Sequence, residues 1–389
     1  MMNVDQSTYD NKRLKKADIE TLTNHSIKIV AVDQIRRTKI KVRASNFKIL
    51  TAQRCISPLA MLVDEKLAWE KITSSFFYYE KELIEFALHC LYLTNTILGE
   101  CIVQRCQKKD LAVVEIQPLS VKQLTKPEKQ RLEINLQAHP KSTGITYGCD
   151  LEFMLLNKQT NNFIRADLLP KYNQIGFDDA ICLNGEGVSH PIFEMRPKPA
   201  NNMAELYGNL LLLYQKLTKE ASLNKLALVT ATNLHDRFFL GGHIHFGNVP
   251  LTFHHVQLLD QFLAIPLSLV ESNPSYKRRN NYGRLGSVRK NKFNGFEYRV
   301  LPTWLSLIPE YLPVLQWIEF LLENAAQLPS SKIAVIDVKA YYHIDVQQRS
   351  LEEWVNENKD ISVKIGGENQ FLSFVSTLRK LARNYRDIL

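Results

Sequence analysis

Four short stretches decide how this chain folds: GCDLEFMLLN at 148–157, HPIFEMRPKP at 190–199, GGHIHFG at 241–247 and GFEYRVLP at 295–302. Successive side chains on a strand point to opposite faces, so residues i and i+2 share one. Each stretch then gives the same picture. Asp150 and Glu152 point one way and Leu151 and Phe153 the other. Glu194 shares a face with Arg196, His243 with His245, and Glu297 with Arg299, each pair backed by Phe, Met, Ile, Tyr or Val. One such strand would be an ordinary solvated face. Four in one region, with metal ligands and arginines in pairs, describe a lined cleft. The economical fold is α+β: a curved antiparallel sheet with these pairs on its concave face and helices on its convex face.

The helices lie between the strands. Residues 203–221 are amphipathic, with Leu206, Leu210, Leu213 and Leu217 in one stripe. Residues 251–271 form a second helix, and a basic loop follows at 273–294. After Trp304 the pattern is helical to about residue 327, and 369–389 is a final helix. Upstream, IKIVAV, TKIKVRAS and FKIL within 26–50 alternate as strands do. The basic residues of RRTKIKVR are expected on a solvated strand face rather than a nucleic-acid surface. Residues 69–98 read as a helix, 111–116 as a strand, and 122–140 as a helix and linker. The chain thus divides into a smaller N-terminal α/β domain at 1–140, a central domain at 141–330, and a mostly helical extension of it at 331–389. At 389 residues, with 45% hydrophobic side chains, it can bury such cores.

A formal net charge of +9 suits anionic partners such as nucleotides as well as plain solubility. The six cysteines include no Cys-x-x-Cys pair and read as thiols of a reducing compartment. No apolar run approaches the ~20 residues of a membrane span, and no signal-peptide core follows the first charges. The expectation is a cytoplasmic protein with no membrane partner. A Walker-type phosphate loop, HExxH and G-x-S-x-G are all missing, which argues against a P-loop site, a zincin and a serine hydrolase.

Three glutamates, Glu152, Glu194 and Glu297, with one or two histidines offer mostly oxygen, which suits magnesium or manganese better than zinc. Arginine cannot neutralise and binds carboxylate or phosphate as a fork. The loop SYKRRNNYGRLGSVRKNKFNG at 275–295 supplies Arg279, Arg284 and Arg289, with Gly283 and Gly286 permitting close backbone approach. A basic, glycine-bearing loop entering a metal-lined cleft reads as a phosphate clamp.

In this order, GCDLEF, FEMRPKPA, GGHIHFG, RNNYGRLGSVR and GFEYRVLPTWL closely resemble the amidoligases of bacteria and phages. These are the type 2 carboxylate–amine ligases of the glutamine synthetase and glutamate–cysteine ligase superfamily. The resemblance covers about residues 145–330. It implies a half-barrel sheet with ATP and a divalent metal, Mg2+ or Mn2+, in its mouth. By position, Glu152, Glu194 and Glu297 match metal ligands. His243 or His245 matches the histidine that holds metal or nucleotide; His243 is set on the metal and His245 on the nucleotide. Arg196, Arg284, Arg289 and Arg299 match binders of phosphate or substrate carboxylate, with Arg279 beside them in the clamp.

The implied reaction converts a carboxylate to an acyl phosphate, which an amine then attacks. Metal and arginines neutralise the charge of phosphoryl transfer. Arg299 and Arg196 are expected at the reacting groups. Asp150, Glu186 or one histidine is the base, and the residues do not choose among them. The segment NQIGFDDAICLNGEGVSH at 173–190 is placed as a substrate loop or lid. The partners are small-molecule or peptide carboxylates and amines. Two alternatives stay open on the residues: a metal-dependent hydrolase of amides or phosphoesters, and a structural protein on a ligase scaffold.

Overall fold

The alternating stretch TKIKVRAS and its neighbour form a hairpin, β2 (Lys39–Ser45) and β3 (Lys48–Cys55), turned at Asn46 with φ 52°. The computed structural model describes residues 14–30, 39–56, 69–73, 78–106, 110–137, 144–168, 174–184, 187–230, 238–271, 276–280, 282–329, 333–342 and 349–386. The expected lid residue Glu186, and Arg36 and Arg37 of the basic run, lie outside them. Contacts divide the chain into two units, Met1–His139 with Leu251–Phe253, and Pro140–Pro250 with His254–Leu389.

The first unit is a six-stranded sheet in the order β1 (Lys28–Ile29), β6 (Leu111–Pro118), β5 (Leu98–Arg105), β2, β3, β4 (Trp69–Lys71). All its pairings are antiparallel except β1 with β6. With it go helices α1 (Lys16–Asn24), α2 (Tyr78–Leu93) and α3 (Lys126–Gln137). The single long helix expected over 69–98 is shorter: Trp69–Lys71 is an edge strand paired with β3. Aromatic Trp69 suits a strand, and the helical periodicity starts only at α2, where Leu83, Ala87, Cys90 and Leu91 are fully buried against the sheet. The basic face of β2 is not solvated as expected. Lys39 is 3% exposed, Lys41 sits 4.4 Å over the Trp69 ring, and Arg43 is clasped by Glu100 and Glu128.

In the second unit a seven-stranded antiparallel sheet carries the four deciding stretches. Its order is β14 (Val288–Lys290), β15 (Phe296–Tyr298), β13 (Gly242–Gly247), β7 (Thr146–Asn157), β11 (Phe193–Met195), β8 (Ile175–Phe177), and β12 (Leu226–Val229) pairs with the far end of β7. A separate hairpin joins β9 (Cys182–Asn184) and β10 (Gly187–Ser189). The segment expected as a loop or lid therefore supplies an edge strand of the main sheet and this hairpin.

One face of the sheet is aromatic. Phe153 stacks on Phe193 at 5.3 Å across β7 and β11, and Phe246 meets Phe296 at 5.1 Å across β13 and β15. Full burial of each such side chain is worth about 1.5–3 kcal/mol. Helix α4 (Met203–Leu223) packs on β7 and β12 and buries Leu206, Leu210 and Leu217. The second expected helix is interrupted: α5 (Phe253–Leu259) passes through a π-turn, Asp260–Ala264, into α6 (Ile265–Ser268). Asp260 is fully buried at that turn and accepts the Tyr298 hydroxyl at 2.7 Å.

After a short α7 (Tyr276–Arg279) and the strands β14 and β15 come α8 (Leu312–Glu323), α9 (Val335–Tyr342), α10 (Leu351–Lys364) and α11 (Glu368–Arg386). Trp317 on α8 donates to Phe262 O at 2.8 Å and packs against Phe371 and Phe374 of α11. The C-terminal helix is thereby built into this unit's core. Among the described residues no helix is long and apolar enough to cross a membrane.

Candidate active site

Strand register brings the polar pairs together. Glu152 faces Glu194 across β7 and β11, Asp150 faces His243 across β7 and β13, and His245 faces Glu297 across β13 and β15, with Arg289 beyond it on β14. Residues directly opposite in an antiparallel pair share a face. The result is one continuous row of carboxylates and imidazoles over four strands, with Arg289 on a fifth. Asp150, Glu152, Glu194, His243 and Glu297 are all at least 93% buried.

Within the row, His243 Nδ1 is 3.0 Å from Asp150 Oδ1 and 3.4 Å from Glu297 Oε1, and His245 Nε2 is 2.9 Å from Asp150 Oδ2. Glu152 Oε2 accepts the Gly241 N–H at 2.5 Å, and its Oε1 accepts the Tyr282 hydroxyl at 3.1 Å. Arginines close the ends. Arg196 pairs with Glu194, Arg299 with Glu297, and Arg289 holds Glu297 Oε2 at 2.6 Å.

These contacts set the protonation states. Burial works to raise the Asp150 carboxyl, but the close approach and charges of His243 and His245 outweigh it and hold it well below the usual carboxylate range. Burial pushes Glu194 up to about 9, helped by its hydrogen bond to the Asp150 carboxylate and only partly opposed by Arg196. Glu152 is raised by burial, against the pull of His243 and the Gly241 N–H.

The donor set fits a hard divalent cation. Oxygen predominates, and carboxylate outnumbers the cationic side chains that reach the row's centre. Asp150 Oδ1 is buried and, although close to His243, lacks the alignment of a hydrogen bond. One atom each from Asp150, His245 and Glu297 lies within 4.8 Å of the others. His243 Nδ1 reaches the same two carboxylates, so either histidine can complete a set around Asp150 and Glu297.

Ten of the eleven residues singled out in the sequence are placed by these facts in or beside the row, or on the loop above it. Arg279 is not brought to the row. Its buried guanidinium binds Glu271 at 2.6 Å and Tyr341 O at 2.7 Å, and lies 4.7 Å from the Tyr341 ring centre. The basic run predicted a charge there but not the partner on α9 that absorbs it. Arg284 turns back on its own loop and donates to Asn280 O at 2.7 Å. Arg289, with a side chain 62% exposed, projects from β14, a strand inside the expected loop. Asp150 as a base is disfavoured by its depressed carboxyl; that environment suits a permanent anion.

Two participants were missed. Tyr282 reaches Glu152, His243 and Arg299; its only sequence signal was an aromatic residue before Gly283 in a basic loop. Asp178, half-buried after β8, adds its charge to Glu152 and Glu194.

No curated protein matches the chain. Among solved structures, a bifunctional glutathione synthetase from Pasteurella multocida is 10% identical with a TM-score of 0.39, over 63% of this chain and 49% of that one. The present chain thus spans about half the length of that enzyme. PafA, the ligase of the prokaryotic ubiquitin-like protein Pup, is 13% identical with a TM-score of 0.37, over 63% of this chain and 65% of that one. Glutamine synthetase from Plasmodium falciparum is 12% identical with a TM-score of 0.36, over 93% of this chain and 98% of that one. Likenesses this loose carry no information about activity. The sequence match is of another kind: the model of the phage phiEco32-like COOH.NH2 ligase-type 2 family covers residues 147–386, from the start of β7 to the end of α11. That span includes every strand of the acidic row and extends well past residue 330, so the chain belongs to the phage phiEco32-like type 2 COOH–NH2 ligase family.

Proposed function

We propose that the protein is an ATP- and magnesium-dependent carboxylate–amine ligase that forms an amide bond through an acyl phosphate. The observation that carries this reading is the buried row Glu194–Glu152–Asp150–His243–Glu297 with arginines at both ends, inside the span of the family match. The seven-stranded sheet is read as the open half-barrel of the glutamine synthetase type, with the row on its concave side.

In this reading a substrate carboxylate oxygen attacks the γ-phosphorus of ATP. The bond to the bridging oxygen breaks, and ADP leaves. The amine nitrogen then attacks the acyl carbon, phosphate departs with the C–O electron pair, and the nitrogen loses a proton. A divalent cation at the row supplies charge neutralisation on the phosphates during transfer. Asp150, Glu297 and one histidine would hold it, with Glu152 and Glu194 completing the oxygen set. Arg289 is exposed and fork-shaped, so it is free to grip phosphate once its hold on Glu297 is relaxed. Arg299, half-buried between Glu297 and Tyr282, is placed to steady the developing charge. Arg196 stands at the opposite end of the row and is assigned the substrate carboxylate. The partners are small-molecule or peptide carboxylates and amines.

The test is ADP release with magnesium, measured over a panel of amino acids, short peptides and amines. Release is expected only when a carboxylate and an amine are both present. ATP with magnesium should also raise the melting temperature, because a ligand of the native state stabilises it. That shift should shrink more in Arg289→Ala than in Arg284→Ala, whose side chain is turned away. Nucleotide-independent cleavage of amides or phosphoesters, with no thermal shift at millimolar ATP, would overturn the ligase reading in favour of hydrolysis.

A further inference from the structure

Tyr282 sits where three otherwise separate features meet. Its hydroxyl is 3.1 Å from Glu152 Oε1 and 2.8 Å from His243 Nε2, and it accepts from Arg299 Nη2 at 2.9 Å. Its ring lies 4.9 Å from the Arg278 guanidinium and 5.5 Å from that of Arg299, and meets the His243 ring edge-on at 5.7 Å. A phenol offers one proton and accepts through its oxygen. It is therefore saturated by these partners.

The surrounding backbone is shaped to put the ring there. Gly283 follows with φ 103°, and a Cβ on it would lie 2.2 Å from Arg278 Nη1 and 2.7 Å from Val300 O. Only glycine makes that turn. A Cβ on Gly241 would lie 2.4 Å from His243 Nε2 and 3.1 Å from the Tyr282 ring, so the imidazole and the phenol meet in space that a side chain would fill. The Gly241 N–H meanwhile holds the other oxygen of Glu152. Fully buried Arg278 pins the loop to Val300 O and Leu301 O at 2.8 and 2.6 Å. From α9, the Tyr341 hydroxyl donates to Gly283 O at 2.8 Å, and the Tyr342 hydroxyl accepts the Leu285 N–H at 3.0 Å.

We propose that Tyr282 is a positioning residue that fixes Glu152 and His243 for a divalent cation and couples their geometry to the seating of the basic loop on α9. This rests on the cation-dependent reading of the site. With the hydroxyl in place, Glu152 is held at both oxygens and His243 is held at Nε2, which leaves its Nδ1 facing Asp150 and Glu297. Without it, Glu152 keeps the Gly241 hydrogen bond at one oxygen but loses the hydroxyl at the other, and the imidazole is no longer anchored at Nε2 against rotation away from the two carboxylates.

The experiment is titration of the full chain with Mn2+ alone, followed by the electron paramagnetic resonance signal of the free ion, beside thermal melts in chelator. Tyr282→Phe keeps the ring between its two arginines and removes only the hydroxyl. The expected result is a Mn2+ Kd raised about tenfold, with the melting temperature moved by no more than about 2–4 °C. Tyr207→Phe removes a hydroxyl that donates to Pro309 O at 3.0 Å, away from the row, and should leave the Kd unchanged. An unaltered Kd in Tyr282→Phe overturns the proposal while leaving the cation reading standing, and so does an equal effect in Tyr207→Phe. A wild-type chain that binds no Mn2+ removes the cation reading and the proposal together.

Discussion

Both units of this protein bury charge on a sheet face, and they do it in opposite ways. In the first unit Arg43 lies between Glu100 at 2.6 Å and Glu128 at 3.3 Å. Glu100 also accepts Gln117 Nε2 at 3.0 Å. Glu128 also takes the Thr51 hydroxyl at 2.6 Å and the Thr125 N–H at 2.8 Å, which is the cap of α3. Each carboxylate is answered by donors of its own. In the second unit Asp150, Glu152, Glu194 and Glu297 crowd one row, and two of them are forced toward the protonated form. Buried charge that serves the fold is matched group by group. A surplus of buried carboxylate is a cost to folding, and it is consistent with the proposed cation at this row.

The contrast breaks most directly by substitution in each network. Glu152→Gln and Glu297→Gln keep side-chain volume and remove one charge. Each should lower ligase turnover by about 10³-fold, the scale of losing one electrostatic element of a transition-state clamp. The melting temperature of Glu152→Gln in chelator should not fall, since a buried carboxylate without an arginine partner has lost its charge; Glu297→Gln should fall modestly, because Arg289 and Arg299 lose their shared partner. Glu100→Gln should do the reverse. Turnover per folded molecule stays put, while stability drops by about 2–3 kcal/mol, since Arg43 loses a buried partner but keeps some solvent. Paired measurement of turnover and chemical denaturation checks both arms. Near-normal turnover in both site variants would leave the acidic row without a catalytic role.

The histidines sharpen the comparison inside the row. His243 is 2% exposed and touches Asp150, Glu297, Glu152 and Tyr282. His245 has a side chain 28% exposed and, among the described residues, a side-chain bond to Asp150. The two Asn variants should therefore be unequal, with about 10²-fold loss at His243 and about tenfold at His245. The purified protein should hold no stoichiometric zinc, because oxygen dominates the donor set. Metal analysis finding one zinc per chain, lost from both variants, would shift the site toward a hydrolase.

The sites on the strands were legible for a physical reason. A period of two puts Asp150 with Glu152, and His243 with His245, on one face whatever their partners are. What lies across from each depends on register, which the chain settles only when the sheet forms. Thus Glu152 against Glu194, and His245 against Glu297, could not be read in advance. Loops carry no period at all. Arg279 and Tyr282 stand three residues apart in one basic segment, yet one is consumed by Glu271 and α9 and the other enters the row. The charged alternation of β2 misled in the opposite direction. Its periodicity was real, but the cover over that face comes from Trp69 and Glu128, remote in sequence. Trp69 was itself misread as helical because an apolar run beside a true helix has no marker of its own start.

The smallest expected effect is on stability against pH, and it should have opposite signs in the two networks. Glu194 keeps its proton up to about 9 in the folded chain, against an ordinary value of 4.5. Between those values the folded state binds more protons than the unfolded state, so stability falls as pH rises. The contribution is fully present below 4.5 and is lost by the time pH has passed about 9. Glu128 is the mirror image. Burial alone would raise it, but Thr51, Thr125 and Arg43 bring it below its ordinary value. Its contribution is present above the ordinary value of 4.5 and is lost as pH falls through the lower folded value. Melts in chelator from pH 6 to 9 should then show the wild type losing a few degrees that Glu194→Gln retains. Glu128→Gln should be less stable than wild type at pH 7, with the deficit narrowing at pH 4. Magnesium should flatten the alkaline loss in the wild type, because a cation favours the charged form of Glu194 that the empty row penalises. If wild type and Glu194→Gln lost stability in parallel above pH 6, the surplus of buried carboxylate would not be what distinguishes the second sheet from the first.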